Sequence, residues 1–154
     1  MRWSSFIYRD VLECSELYLS HYKNSAIYAK SLKIQELPNK NNVLIHKTAQ
    51  IDPTAKIGPN VCIGSGCKIG KGVRIVNSII LDDCELKDYS CVLNSIICWN
   101  SIIGYWCRIE GNKELGKVSL LGVGVIVENE KAIRNCVVLP YLVLDKNHFN
   151  EVLF

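Results

Sequence analysis

Large aliphatic residues recur every six positions once the chain has passed residue 43. The series holds for six units and continues with two five-residue steps through Ile45, Ile51, Ile57, Ile63, Ile69, Ile75, Ile80, Leu86, Val92, Ile97, Ile103 and Ile109. A period of six matches neither the 3.6-residue period of an α-helix nor the two-residue alternation of an isolated strand. The spacing therefore indicates an internal repeat in which each unit contributes one short strand and one corner.

The residue two places before each large aliphatic is small or β-branched in all twelve units. These residues are Val43, Ala49, Ala55, Val61, Cys67, Val73, Ser78, Cys84, Ser90, Ser95, Ser101 and Cys107. Residues two apart in a strand point to the same side. Each unit therefore supplies one large and one small side chain to a shared interior before the chain turns.

The repeat is interrupted once and then resumes. Residues 110–117 are glycine-containing and polar, and the pattern returns at Leu121, Val127, Ile133, Val138 and Leu144. Seventeen units at three per turn predict a triangular parallel β-solenoid of nearly six coils, with successive coils about 4.8 Å apart. We interpret residues 110–117 as a short insertion at one corner.

The chain ahead of the repeat has a different composition, since all ten glycines lie between Gly58 and Gly124. Val11, Leu12, Tyr18, Leu19 and Tyr22, together with the small residue Ser15, recur there at spacings of three and four, which predicts an amphipathic helix within residues 9–28. Proline and asparagine in residues 37–42 favour a linker. We therefore divide the chain into a helix and linker over residues 1–42 and a β-helix over residues 43–154.

Grouping the units in threes assigns every strand to one of three faces. On the first face, the outward residue before each large inward one is always apolar: Leu44, Cys62, Ile79, Ile96, Leu120 and Val137. The second face (Gln50, Lys68, Glu85, Ile102, Ile126, Val143) and the third face (Lys56, Arg74, Cys91, Arg108, Ala132) are mixed. The first-face column would be a large exposed apolar patch unless the N-terminal helix, a further domain or a partner chain covers it. Its six residues are our interface candidates.

Composition excludes several other classes of function. The net charge of +3 is small and interspersed, which gives no indication of nucleic-acid binding, and no apolar run is long enough to span a membrane. The histidines do not cluster, since His21 falls on the predicted helix, His46 in the first coil and His148 in the tail, so we expect no metal, no cofactor and no catalytic residue. Cys67, Cys84, Cys107 and Cys136 fall at small inward positions and are expected to pack in the core.

Several segments together resemble the C-terminal hexapeptide-repeat domain of GDP-mannose pyrophosphorylases (mannose-1-phosphate guanylyltransferases). They are residues 57–64, 69–75, 91–111 and 138–140, and the stretch that holds Trp99 and Trp106 is the most specific. Residues 16–22 and 149–154 resemble the corresponding parts of the α subunit. The resemblance implies a left-handed parallel β-helix. The eight cysteines are too sparse for a disulfide scaffold and form no C-x-x-C pair, so we expect a reducing compartment and a cytoplasmic protein.

The resemblance also implies a function. An α subunit of this kind regulates GDP-mannose synthesis from mannose 1-phosphate and GTP, and it acts through a catalytic β subunit, self-association, or both. This chain shows no glycine-rich nucleotidyltransferase signature, so we expect no such activity from it alone. Two alternatives stay open: a small hexapeptide acyltransferase with His46 as general base, and a structural β-helix subunit of a larger complex.

Overall fold

The computed structural model describes residues 3–22 and 42–154, and the side chains of residues 8–20 and 42–154. One helix, α1 (Trp3–Tyr22), precedes nineteen short strands. In chain order the strands are β1 (Val43–Ile45), β2 (Gln50–Ile51), β3 (Lys56–Ile57), β4 (Val61–Ile63), β5 (Lys68–Ile69), β6 (Arg74–Val76), β7 (Ser78–Ile80), β8 (Glu85–Leu86), β9 (Cys91–Leu93), β10 (Ser95–Ile97), β11 (Ile102–Ile103), β12 (Arg108–Glu110), β13 (Ser119–Leu121), β14 (Ile126–Val127), β15 (Ala132–Arg134), β16 (Val137–Val138), β17 (Val143–Leu144), β18 (His148–Phe149) and β19 (Val152–Leu153).

The strands form three parallel sheets, one for each face of the solenoid. The first face has seven strands in the order β1-β4-β7-β10-β13-β16-β19, and the other two faces have six strands each. Every strand pairs with the strand three positions along the chain, so six complete coils and one strand of a seventh are stacked. The predicted fold class, a parallel β-helix preceded by one helix, is confirmed. Strands β18 and β19 extend it beyond the seventeen predicted units.

The core is a set of vertical ladders of aliphatic side chains. Ile45, Ile63 and Ile80 stand in register on the first face, and each is at most 1% exposed. The four inward cysteines, Cys67, Cys84, Cys107 and Cys136, are free thiols and are buried, as predicted. Because each coil buries its side chains only against neighbouring coils, the core is continuous along the axis rather than centred at one point.

Helix α1 begins earlier than the sequence pattern predicts. The apolar stripe led us to place its start near Arg9, but the helix begins at Trp3. The clear three-and-four spacing begins only at Val11, so the pattern reports the docked part of the helix and not its first turns. The predicted end near residue 28, and residues 37–41 of the predicted linker, lie outside the described part of the chain.

Asparagine occupies the corner between the third and first faces in nearly every coil. Asn42, Asn60, Asn77, Asn94, Asn135 and Asn150 all have positive φ, between 47° and 57°. Their side chains are linked between coils, since Nδ2 of Asn42 donates to Oδ1 of Asn60 at 2.9 Å and Nδ2 of Asn77 donates to Oδ1 of Asn94 at 2.7 Å. Asparagine suits this position because its short amide tolerates the left-handed region and can bond to a neighbour.

The insertion joins this asparagine ladder to the next coil. The next coil has no asparagine at this corner. Asn94 Nδ2 instead donates to the carbonyl oxygen of Lys117, at 2.9 Å. The loop itself is closed by the Lys117 amide, which donates to the carbonyl oxygen of Asn112 at 2.8 Å. The ladder therefore continues across the insertion.

Candidate interface surface

The six interface candidates stand in one straight column on the first face. Strand pairing aligns Leu44, Cys62, Ile79, Ile96, Leu120 and Val137 in consecutive coils. Val152 of β19 follows Val137 in the same register and adds a seventh apolar residue that the sequence interpretation did not include. The column runs along the whole length of the solenoid.

Helix α1 packs against the middle of this column. Leu12 of the helix forms one buried cluster with Ile96 and with Val118, the residue before β13. Tyr8, Ile79 and Leu120 pack against the same cluster. Of the three coverings that the sequence suggested for the first face, the structure therefore contains the helix.

One polar contact joins the docked helix to the first face, at Ser15. Ser15 Oγ lies 3.4 Å from Cys62 Sγ, and burial raises the pKa of the Cys62 thiol above its ordinary value despite the opposing effect of this hydrogen bond. Arg9 forms ion pairs with Asp10 at 3.3 Å and Glu13 at 3.5 Å, both within the helix and exposed. Exposed ion pairs contribute little. The helix is therefore held mainly by its apolar contacts.

Apart from Ile96, the column is only partly covered, since Cys62, Ile79 and Leu120 are half-buried like the residues nearer its ends. Leu44 and Val137 are half-buried, and Val152 is 38% exposed. Ile96, beneath the helix, is 6% exposed. Apolar surface on the first face therefore remains accessible beyond the helix, particularly at the C-terminal end.

A second apolar surface lies where the first and second faces meet, in the last three coils. Its exposed members, which we call the C-terminal patch, are Trp99, Ile126, Leu139, Tyr141 and Val143. The ring of Tyr141 lies against Gly124 of the coil before it, where a Cβ would come within 2.7 Å of Tyr141 Cδ1. Sequence reasoning missed this patch because the second face was judged as a whole and its first three coils are polar.

Aromatic residues also occupy the corner between the second and third faces. The rings of Tyr89 and Trp106 stack with centroids 4.4 Å apart and an interplanar angle of 19°. The ring of Tyr89 rests on Gly72, and Lys87 Nζ lies 5.3 Å from the centroid of Tyr105. Trp106 therefore belongs to an aromatic stack between coils, while Trp99 lies in the C-terminal patch.

The candidate general base lacks an orienting carboxylate. His46 Nδ1 lies 2.8 Å from Thr48 Oγ1 and accepts a hydrogen bond from the Thr48 amide at 3.3 Å. Within residues 42–154, the only histidine paired with a carboxylate is His148, whose Nδ1 lies 2.7 Å from Glu151 Oε1. The side chain of His21 lies outside the described residues. No group of three or more metal-ligating residues occurs in the described part of the chain.

Three of the outward residues on the third face are basic, Lys56, Arg74 and Arg108, and one of them is paired with a carboxylate. Glu110 pairs with Arg108 and with Arg134, whose Nε lies 2.9 Å from Glu110 Oε2. The hydrogen bond to Glu110 raises the pKa of the Arg108 guanidinium. Arg108 is therefore paired with a carboxylate, and Arg134 adds a further cation to the same face.

Residues 64–66 and 70–72 each contain two glycines, but they do not form an anion site because amides in both segments already donate hydrogen bonds within the protein. The Ser65 amide donates to Asp82 Oδ1 at 2.7 Å, and the Lys71 amide donates to Asp88 Oδ1 at 2.8 Å. Corner geometry explains Gly66 and Gly72, which have positive φ. Gly64 does not, and there a Cβ would come within 2.8 Å of the backbone nitrogen of Asp82.

No helix among residues 3–22 and 42–154 is long and apolar enough to cross a membrane.

The chain matches a family model described as the GMPPB C-terminal domain over residues 39–153. The mannose-1-phosphate guanylyltransferase regulatory subunit alpha of Dictyostelium discoideum is 46% identical over 155 residues, covering 91% of this chain and 36% of that protein. The regulatory subunit alpha-B of Danio rerio is 40% identical over 167 residues, covering 94% of this chain and 40% of that protein. The chain thus spans less than half the length of these relatives.

Among solved structures, PerB from Caulobacter crescentus in complex with CoA and GDP-perosamine is 16% identical with a TM-score of 0.41. The likeness covers 70% of this chain and 51% of that chain. A likeness of this degree carries no functional argument.

Proposed function

This chain belongs to the GMPPB C-terminal domain family, and from that premise we propose that it is the assembly region of a mannose-1-phosphate guanylyltransferase regulatory alpha subunit. In this role residues 43–154 bind a catalytic subunit in the cytoplasm and modulate its synthesis of GDP-mannose from mannose 1-phosphate and GTP. The observation that carries the proposal is the 46% identity, over 91% of the chain, to a protein that bears this name.

The surface chemistry supports a role in binding. The first-face column is apolar in every coil and is only partly covered by α1, so accessible apolar surface remains towards its ends. Apolar surface of this kind on a folded chain marks a site of protein association. We therefore assign the ends of the first face, around half-buried Leu44 and Val137 and exposed Val152, to the catalytic partner.

The first test is a mixing experiment. The chain and a catalytic guanylyltransferase subunit are combined, their mass is measured by light scattering during gel filtration, and turnover of GTP plus mannose 1-phosphate is followed. We expect co-elution, altered turnover of the mixture and no turnover by the chain alone. Separate elution with unchanged turnover would overturn the proposal, while co-elution with unchanged turnover would favour a purely structural subunit.

A pair of variants locates the contact. Val137→Glu adds a charge towards the C-terminal end of the first face, whereas Arg74→Glu changes the charge of an exposed residue on the third face. We expect Val137→Glu to weaken co-elution at least tenfold, because an unpaired charge would be buried on association. The Arg74→Glu control should bind as the wild type does.

The acyltransferase alternative retains one supporting observation, the pair formed by His148 and Glu151 at 2.7 Å. A carboxylate at this distance can orient an imidazole as a general base. The pair also has a structural role, since His148 continues the inward ladder above Ile133 in the last complete coil. Acetyl transfer from acetyl-CoA by the wild type, lost in His148→Ala, would support the enzyme; no transfer by the wild type would exclude it.

A further inference from the structure

The three faces of the solenoid differ in charge. The residues on either side of each large inward residue point outward, so they define the surface of a face. On the first face no such side chain is charged, and on the second face two cations stand with four carboxylates. The third face has one carboxylate, Glu110, and four cations: Lys56, Arg74, Arg108 and Arg134. Its net charge of +3 equals that of the whole chain.

The edges of the third face do not cancel this charge. The corner shared with the second face adds three cations and two carboxylates, and the corner shared with the first face adds two of each. Glu13 and Glu16 of α1 border the second of these corners, and Glu13 is paired with Arg9. The corner residues are Lys71, Asp88, Glu130, Lys131 and Lys146 at the first edge, and Lys113, Glu114, Lys117 and Glu151 at the other. The third face therefore remains positive with its edges included.

Two of the cations stand side by side. Lys56 and Arg74 are direct partners on β3 and β6, both are exposed, and within the described part of the chain neither forms an ion pair. Like charges on neighbouring strands repel each other. The repeat accepts uncharged residues at the same position, since Cys91 and Ala132 occupy it in later coils. Folding therefore does not require this pair of cations, and a local cost of this kind is typical of a binding surface.

A small apolar area divides the cations into two groups. Val76, Cys91 and Leu93 are half-buried outward residues of β6 and β9, with Arg74 on one side and Arg108 on the other. Burial raises the pKa of the Cys91 thiol, and the guanidinium groups of Arg108 and Arg74 oppose this shift, so both groups lie close to the thiol. Along the solenoid axis the face thus presents cations, apolar side chains and then cations again.

The spacing of these groups fits an extended peptide. Lys56 and Arg134 lie on the first and the fifth of five stacked strands, which are about 19 Å apart at about 4.8 Å per step. An extended peptide of about six residues covers that distance. A polymer of phosphates fits less well, because Glu110 stands beside Arg108 and Arg134 and pairs with both. A peptide can place a neutral residue over this carboxylate, and it can also place apolar side chains on Val76 and Leu93.

We propose that the third face binds an extended acidic peptide segment of another protein, laid along the solenoid axis, with apolar residues at its centre. Its carboxylates pair with Lys56 and Arg74 at one end and with Arg108 and Arg134 at the other. The inference goes beyond the proposed function, because it uses a different surface from the ends of the first face and requires no catalytic subunit.

The test measures peptide binding by two charge reversals in one coil. The probe is a fluorescein-labelled peptide of two glutamates, two leucines and two glutamates, and binding to the full chain is followed by fluorescence anisotropy. Arg74→Glu lies on the third face, and Lys68→Glu makes the same change of charge at an exposed residue of the second face. We expect the wild type and Lys68→Glu to bind the peptide alike, and Arg74→Glu to bind at least about tenfold more weakly. A peptide with serines in place of the leucines should also bind more weakly.

Thermal melting separates binding from folding. Arg74→Glu should melt no lower than the wild type, because the substitution replaces repulsion from Lys56 by attraction. A clearly lower melting temperature would show that Arg74 serves the fold, and it would overturn the inference.

Three binding results would also overturn it. They are no anisotropy change at about 100 μM wild-type chain, equal weakening by Arg74→Glu and Lys68→Glu, and equal binding of the leucine and serine peptides. Tighter binding of inorganic polyphosphate than of the leucine peptide would assign the face to a phosphate polymer instead.

Discussion

Asn94 connects the regular coils to the insertion and is the most constrained residue of the asparagine ladder. It has a φ of 49° and is 9% exposed. Its Oδ1 accepts a hydrogen bond from Asn77 and its Nδ2 donates one to the carbonyl oxygen of Lys117. The residue therefore combines a backbone requirement with a hydrogen-bonding requirement, and substitution can separate the two.

Two substitutions at this site should have different costs. Asn94→Gly keeps the backbone freedom and loses both hydrogen bonds, at a cost of about 1–3 kcal/mol for the groups left unpaired. Asn94→Ala adds about 1–2 kcal/mol because alanine disfavours a positive φ. Urea unfolding measures both free energies; equal stability of the two variants would show that the backbone conformation at residue 94 relaxes.

Two of the four inward cysteines, Cys107 and Cys136, make the stability of the protein depend on alkaline pH. Burial raises the pKa of the Cys107 thiol and of the Cys136 thiol above the ordinary value of 9.0. A raised folded-state pKa means that the unfolded chain loses these protons first as pH rises. Their contribution to stability is therefore complete below pH 9.0 and is lost as the pH rises through the folded-state values.

Serine substitutions provide the matched test of this pH dependence. The repeat already places Ser90 below Cys107 and Ser119 below Cys136 at equivalent inward positions. We expect the double variant Cys107→Ser, Cys136→Ser to keep the fold. Its melting temperature should decrease less between pH 7 and pH 10 than that of the wild type. Parallel pH curves for the two proteins would contradict the assignment of the effect to these thiols.

At the scale of elements, α1 depends on the surface that it covers. Its first turn has no acidic residue to interact with the helix dipole. Leu12 is 5% exposed against the solenoid, whereas Leu17, on the same helix, is 68% exposed. The two leucines therefore form a matched pair with the same chemistry and opposite burial.

Leu12→Glu should release the helix, and Leu17→Glu should leave it docked. Loss of the apolar contacts of Leu12 alone should weaken docking by about 2–5 kcal/mol. Burial of the carboxylate adds a further cost. Hydrogen exchange of residues 3–22 reports the release, and the exchange of strands β7, β10 and β13 reports the newly exposed first face. Equal protection of α1 in both variants would show that Leu12 does not determine the docking.

The periodicity predicted the coils well because the solenoid imposes one rule on every unit. It failed where that rule is locally broken: the next inward residue after Leu144 is His148, a polar residue that follows after four positions instead of six. The first-face column could be predicted because the regular repeat places its outward residues directly above one another in successive coils. The C-terminal patch could not be found in this way, because only the second half of its face is apolar.

At the scale of the molecule, the solenoid has no single centre, and each coil is stabilised by the coils on either side of it. Ile103 is 0% exposed and lies between Leu86 and Val127, which belong to the coils before and after. Leu144 is 4% exposed and lies on β17, the terminal strand of the second face. The same substitution, an aliphatic residue to aspartate, should therefore affect the whole fold differently at the two sites.

Ile103→Asp should abolish folding of the repeat, and Leu144→Asp should disorder only its C-terminal end. An unpaired buried carboxylate costs several kcal/mol, which is comparable to the total stability of a domain of this size. In the middle of the stack this cost falls on contacts with both neighbouring coils, but at the end the last coil can open and expose the charge to water. Circular dichroism should show unfolded Ile103→Asp and largely folded Leu144→Asp, with hydrogen exchange in the second variant accelerated only after residue 136. Loss of structure throughout Leu144→Asp would instead show that the solenoid unfolds as one cooperative unit.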